Sequence, residues 1–227
     1  NNKEELTSYF SDREDRVFLI QEFIDTKNEY ALLYYKYPLS KKSGILSLSS
    51  RVYPHIVGDG VSNIKELTDA LNNNRIDKKD LLEKIDLDKK KILEKGEILV
   101  LDYVGNFTRG SSIKNETHKV NDRLVAYFDQ LTEPIDGLNF VRFDIKANSL
   151  EDITNGNFMV LEMNGAKSES MHKYDEKLNG KSRLDLSIRH WNILADISKE
   201  RMQQGHKPDT FVESVKALFR TKKNLKK

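Results

Sequence analysis

Apolar and polar residues alternate along this chain in several short stretches, and the period of the alternation changes where helices are expected. Residues 3–10 put Leu6, Tyr9 and Phe10 on one side of a helix. Val17–Ile24, Glu29–Tyr37 and Ile45–Tyr53 are β-prone runs bounded by polar or turn-forming residues, and together they predict an antiparallel meander. His55–Gly60 reads as a turn. Asn63 followed by Glu66 resembles a capping box opening a helix through Leu71, and Asp77–Ile85 predicts a second short helix. Gly96–Val104 reads as a strand, and Gly105–Gly110 as a polar loop punctuated by glycine. Val120–Leu131 predicts a helix with Leu124, Tyr127, Phe128 and Leu131 on its buried side. Leu138–Ile145 and Phe158–Met163 predict neighbouring antiparallel strands, with Asn155-Gly156 as the turn signal before the second. Leu184–Met202 is a long amphipathic pattern holding the single tryptophan, Trp191. Thr210–Phe219 is a further helical pattern with Phe211, Val215, Leu218 and Phe219 at helical spacing. The aromatics of these last two helices are expected in the core rather than around a ligand. No internal repeat or low-complexity segment is present.

The bulk numbers narrow the class. The sequence has 227 residues, 37% hydrophobic and 33% charged, which is a globular composition. A net charge of +2 gives no strong field for nucleic acid or a membrane surface. The basic run Arg220–Lys227 reads as a solvated end. The absence of cysteine excludes disulfides, thiolate metal sites and cysteine nucleophiles. No apolar run approaches the ~20 residues of a membrane span. Without signal-peptide character at the N-terminus, the expectation is a cytoplasmic protein.

The candidate chemistry lies in two triplets, Arg142-Phe143-Asp144 and Glu162-Met163-Asn164. Residues two apart on a strand share a face, so Glu162 and Asn164 project together and Asp144 can meet them from the adjacent strand. Two carboxylates and an amide oxygen form a hard oxygen site of the kind Mg²⁺ takes when it shares its shell with phosphates and water. Arg142 shares a face with Asp144 and adds a positive fork for phosphoryl oxygens. Taken alone, such a pattern at strand ends is more often a solvated surface. The order of the other segments weights it toward function.

That order resembles the ATP-grasp superfamily, and nearly the whole chain can be fitted to it. The branch it looks most like contains D-alanine–D-alanine ligase, cyanophycin synthetase and the amino-acid ligases that modify peptide ends. Gln21-Glu22-Phe23-Ile24 matches the adenine-contacting hinge, and Glu29 the ribose ligand. Arg51-Val52-Tyr53-Pro54-His55-Ile56-Val57-Gly58-Asp59-Gly60, with Ser62 and Ile64–Leu67 after it, is close to a stretch typical of the cyanophycin synthetase branch. So is Gly105–Ile113, with Thr117-His118 behind it. Arg142, Asp144, Glu162 and Asn164 match the family's phosphate-binding arginine and metal ligands.

The resemblance implies an α+β protein with antiparallel sheets flanked by helices, and an ATP-dependent ligase joining a carboxylate to an amine through an acyl phosphate. It implies ATP and Mg²⁺, with Mn²⁺ as an alternative, and small carboxylate and amine substrates such as amino acids or peptides. Positioning and charge neutralisation carry such chemistry, so the lack of Ser–His or Cys–His pairs is no obstacle. Arg51 and Arg109 would line the cleft with Arg142, and the glycines and serines around Arg109 could turn backbone N–H groups toward an anion. Lys167, Ser168 and Glu169 are acceptor-side candidates, because Gly165-Ala166-Lys167 departs from the proline-glycine turn of D-alanine ligases and suggests a polar or cationic acceptor. His118 reads as a bystander, and the role of His172 stays open.

No glycine precedes Gly44, so the family's glycine-rich phosphate loop is expected upstream of this chain. On that reading residues 1–24 are the end of the ATP-lid subdomain with the hinge, residues 25–227 are the metal- and substrate-binding subdomain, and the fragment alone binds ATP weakly. Two other classes compete: a nucleotide-binding regulatory module without catalysis, and a basic-tailed nucleic-acid binder, which the charge disfavours. Trp191 and the C-terminal helix fit either a homodimer interface or the domain's own core.

Overall fold

In a computed structural model, residues 3–11, 17–18, 20, 22, 24–26, 28–72, 76–85, 87–103, 110–210, 212–216 and 219 are described. Their elements run in chain order as α1 (Lys3–Ser11), β1 (Asn28–Lys36), β2 (Ser43–Val52), β3 (His55–Val57), α2 (Ile64–Asp69), α3 (Lys78–Lys84), β4 (Ile98–Val100), β5 (Ser112–Asn115), α4 (Asp122–Thr132), β6 (Phe140–Ala147), α5 (Leu150–Thr154), β7 (Met159–Asn164) and α6 (Gly180–Gln203). Short 3₁₀ turns cover Thr117–Lys119 and Met171–Tyr174, and residues 212–216 are helical.

Five strands form an antiparallel sheet in the order β5-β2-β1-β6-β7. β1 is its middle strand. Leu32, Leu33 and Tyr34 are all fully buried, which is why its sequence is a continuous apolar run rather than an alternating one. One face of the sheet presents Tyr30, Leu32, Tyr34, Leu48, Val141, Phe143 and Ile145 to Leu124 and Phe128 of α4 and Ile153 of α5. Burying a side chain of this size contributes on the order of 1.5–3 kcal/mol, so this layer is the main source of stability. On the other face α6 covers one end through Ile193 and Ile197, which pack against Leu33, Leu46 and Phe140. Beyond α6 that face carries Glu29, Arg51, Arg142 and Asp144.

Between β2 and β5 the chain makes a small second unit. β3 and β4 pair, and Ile56, Ile64, Leu81, Ile85, Leu93 and Leu101 form its separate core with α2 and α3. The predicted capping box at Asn63 and Glu66 forms with both reciprocal bonds, and Asp77 caps α3. Gly58 is required here. A Cβ on it would lie 2.1 Å from the Glu94 carbonyl oxygen, while its own N–H donates to Glu97 O at 2.8 Å and its carbonyl accepts from Gly96 N at 2.8 Å. Neither neighbour can move without breaking that pairing. Gly58→Ala is expected to cost about 1–3 kcal/mol by overpacking. Hydrogen exchange should show amide protection lost at Ile56 and Leu99 and kept at Leu32 and Phe143. Unchanged protection in the small unit would contradict this account.

The sequence reading is corrected at several points. No described residue of Val17–Ile24 is in a strand, and Val17 (102% exposed) and Ile20 (79%) lie open to solvent; β1 already has β2 and β6 as neighbours, so the meander has no place for a third strand there. His55–Val57 is a strand rather than part of a turn, and of the strand expected over Gly96–Val104 only β4 forms among the described residues, with Gly96 at φ +87° just before it and Val104 outside the described residues. β5 lies just past the expected loop, where no element was predicted, and residues 105–109 of that loop lie outside the described residues. Asn155-Gly156 closes α5 with Gly156 at φ +81° instead of turning a hairpin. Leu131 is 37% exposed, and Thr132 takes the buried position on α4. Trp191 is 66% exposed and Phe219 is also exposed, so neither is a core residue; α6 buries His190, Ile193 and Ile197 instead. Phe211 and Leu218 lie outside the described residues.

Candidate functional site

The polar face owes its contents to two β-bulges. From Lys36↔Ser43 to Tyr34↔Ile45, β1 and β2 pair in one register; from Leu33↔Ser47 onward the register is shifted by one residue, with Leu46 as the extra residue. Side chains alternate faces, so this shift decides which half of β2 faces which side. With it, Ser47, Ser49 and Arg51 join Glu29, Ala31 and Leu33 on one face. The same device operates between β6 and β7. Arg142↔Asn164 and Asp144↔Glu162 are directly opposed, whereas Ile145 pairs with Val160, leaving Leu161 as the extra residue. Ala31 faces Asp144 on one side and Ser49 on the other, so small residues separate the two charged clusters.

In the first cluster Arg142 grips Asp144 with both arms of its fork, Nε to Oδ1 at 2.8 Å and Nη2 to Oδ2 at 2.9 Å. Asn164 Nδ2 donates to Asp144 Oδ2 at 3.0 Å, which turns the amide oxygen away from the carboxylate. Glu162 stands across from Asp144 and is exposed. Lys146 continues the same face of β6 and donates to Thr26 O at 3.4 Å. The four residues expected to converge do share one face of paired strands.

In the second cluster Arg51 Nε donates to Glu29 Oε1 at 2.8 Å and Nη1 to Ser111 Oγ at 3.4 Å. The Tyr53 hydroxyl donates to the other Glu29 oxygen at 3.2 Å; burial, and then the Glu29 charge, push that phenol up to about 12. Glu29 therefore spends both oxygens on neighbouring side chains in this arrangement.

Of the remaining expected residues, Gln21, Phe23 and Arg109 lie outside the described residues. Glu22 is exposed and Ile24 half-buried, in a segment without regular structure among its described residues. His118 is exposed on its 3₁₀ turn. His172 is buried and bonded through Nδ1 to the Ser47 hydroxyl; burial, reinforced by the Arg189 charge, lowers its pKa to about 4, so it is neutral at pH 7. Lys167, Ser168 and Glu169 line a cavity of about 80 Å³ closed by Ser187, His190 and Trp191 of α6. The Ser168 hydroxyl there is buried without a hydrogen-bond partner, and burial lowers the pKa of His190, whose Nδ1 lies 3.2 Å from Ser170 Oγ. Lys146 and Tyr53 belong to the site and escaped the sequence reading. Lys146 sits two residues along β6 from Asp144, so the alternation of faces could have found it; Tyr53 lies one residue beyond the end of β2, where that signal stops.

The donor set fits a hard divalent cation in kind, being two carboxylates and an amide. Among the described residues no three His, Asp or Glu side chains converge. Holding a cation would require Asp144 to give up part of its pairing with Arg142, and Asn164 to present its oxygen. Among the described residues, no helix is long and apolar enough to cross a membrane.

Fold and site together define a mixed α+β protein with an antiparallel sheet, helices packed on both faces, and an arginine–carboxylate surface on one of them. Among solved structures it is similar to a bifunctional glutathione synthetase from Pasteurella multocida, with 17% identity and a TM-score of 0.48 over 74% of this chain and 24% of that one. The chain thus spans about a quarter of that protein's length. No family model matches the chain, and no curated protein sequence does.

Proposed function

We propose that this chain is the metal- and substrate-binding part of an ATP-dependent carboxylate–amine ligase of the ATP-grasp type. One observation carries the reading: the bulged register that sets Arg142, Asp144, Glu162 and Asn164 on a single face. Asp144, Glu162 and Asn164 would hold Mg²⁺, with Mn²⁺ as a substitute. The ion's contribution, when bound, is to offset charge on the phosphate oxygens. Arg142, released from Asp144, turns its fork toward the transferring phosphoryl group, with Arg51 beside it; Arg109, outside the described residues, keeps the cleft-lining role that the resemblance gives it.

The reaction in this class has two steps. A substrate carboxylate oxygen attacks the γ-phosphorus of ATP, the bond to the departing ADP breaks, and an acyl phosphate forms. The amine then attacks the acyl carbon, phosphate leaves with the C–O electron pair, and the amine loses its proton. The protein's work is to position the partners and neutralise charge. His172 stays outside both steps, because it is buried, neutral and committed to Ser47.

Titration with Mn²⁺, alone and then with ATP, tests the reading by paramagnetic broadening of amide signals. Broadening is expected first at Asp144, Glu162 and Asn164. Metal affinity should fall roughly tenfold or more in Glu162→Gln and in Asn164→Ala, on the scale of losing one strong charge-assisted contact. Equal metal-dependent affinity in the parent and both variants would remove the assignment.

A further inference from the structure

On the same sheet face, beyond the Glu29–Arg51 pair, the polar surface gives way to an apolar hollow. Its volume is about 300 Å³, and Arg51, Ile113, Met171 and Tyr174 line it. Two separate parts of the chain build it. The β2–β5 register sets Ile113 directly across from Arg51, on the same face. The 3₁₀ turn Met171–Tyr174 supplies the other wall.

That turn is held in place at both ends. His172 is buried and bonded to Ser47, Lys173 N–H donates to Ser170 O at 3.2 Å, and the Tyr174 hydroxyl donates to Glu169, which also pairs with Lys173 at 2.8 Å. The hollow is therefore preformed, as small-molecule sites usually are, and its volume is at the lower end of their range. Met171 is the wall residue best able to adapt to an incoming group.

Among the described residues, Arg51 is the one charged group in the lining. A guanidinium offers five N–H donors in a plane. In Arg51, Nε serves Glu29 and Nη1 serves Ser111, and Nη2 takes no part in either bond. Glu29 holds the fork in a fixed orientation, so little ordering remains to be done when an anion arrives. An apolar chamber with a guanidinium at its rim favours an anion with an apolar tail. It disfavours a cation, which Arg51 repels, and a polar tail, which would lose its hydration without finding partners.

We propose that this hollow is a binding subsite for a carboxylate that carries an apolar group. The carboxylate sits on Arg51, and the apolar group, about the size of a leucine or phenylalanine side chain, lies against Ile113, Met171 and Tyr174. The proposal deepens the ligase reading by naming a substrate class. It also separates the two substrates: an apolar carboxylate here, and a polar amine on the side of Lys167 and Glu169.

The test is an NMR titration of the protein with acetate, butanoate and hexanoate, read at the Ile113 and Met171 methyl groups. Hexanamide and hexylammonium are the matched controls. Affinity should rise roughly fourfold per added methylene as apolar area is buried, and hexanoate should bind far more tightly than either control. Met171→Asp should abolish the dependence on chain length, and Arg51→Gln should abolish the preference for hexanoate over hexanamide. Affinity independent of chain length, or hexylammonium binding as well as hexanoate, would overturn the proposal. The wild-type comparison among the three hexyl ligands decides the charge question even if Arg51→Gln fails to fold. Neither nucleotide nor metal is present, so failure here and failure of the Mn²⁺ titration are separate observations.

Discussion

Phe128→Ala is expected to lower the stability of the protein by about 3–5 kcal/mol, the range for removing a large aromatic side chain from a core. Phe128 is fully buried on α4. Its ring stacks on Phe158 at 6.0 Å and meets Phe143 at 5.2 Å and Tyr34 at 6.4 Å, so it joins α4 to β1, to β6 and to the chain entering β7. The neighbours are poorly placed to close the space. The Tyr34 hydroxyl is tied to Asp129 at 2.5 Å, and Asp129 also accepts from Ser43 at 2.9 Å. A cavity that cannot collapse puts the cost toward the top of the range. Domain stabilities are of the order of 5–15 kcal/mol, so the variant would sit near its folding threshold. Urea unfolding measures the change. A loss under about 1 kcal/mol would mean that α4 does not pack on this sheet as described.

Acidification is the second large effect. His172 has a folded-state pKa of about 4 against its usual 6.5, because burial disfavours the imidazolium and Arg189 adds repulsion. Between those two values the unfolded chain binds the proton and the folded protein does not, so stability falls as the pH falls. The contribution is complete above pH 6.5 and is lost on the way down to pH 4. Over the whole window it amounts to about 3 kcal/mol, of which about 2 kcal/mol is lost between pH 7 and pH 5. His190, also lowered by burial, acts with the same sign. The lowered carboxylates Glu116 and Asp175 act at lower pH, so measurement between pH 5 and 7 isolates the histidines. His172→Asn keeps a partner for Ser47 and removes the titrating group. Its unfolding free energy should be lower at pH 7 and should fall down to pH 5 only by the share left to His190, a clearly shallower slope than the parent's. A slope equal to that of the parent protein would exclude His172 as the source.

The parts of the fold that could be read in the sequence are those where one period runs long enough to be counted. β6 alternates strictly, with Val141, Phe143 and Ile145 toward the core and Arg142, Asp144 and Lys146 toward the other face, so its role and its chemistry were both readable. Asn63 with Glu66, and Asp77, name helix starts through a local hydrogen-bond pattern that needs no tertiary knowledge. The three-residue β3 and β4 and the four-residue β5 are too short to show a period, and only their partners define them. Asn155-Gly156 supplies a positive φ that serves a helix end as well as a hairpin, so the pair could not tell one from the other. α6 carries one apolar stripe through Leu184, Ile188 and Trp191 and another through His190, Ile193 and Ile197, and only the packed sheet decides which is buried. Within the site, the meeting of Asp144 with Glu162 followed from adjacent strands. The pairing of Glu29 with Arg51 depends on a bulge that no local pattern announces.

Those two bulges carry a consequence for how the site is encoded. Leu46 and Leu161 work as phase shifters in a two-beat alternation. Pair Leu161 in the ladder instead of leaving it over, and with the strand's start held in place Glu162 and Asn164 turn to the face that packs on α4, although every residue is still present. The chemistry of this surface is thus written in one skipped rung of the ladder as much as in the charges themselves, and a slip of pairing there is graver than a change of side chain.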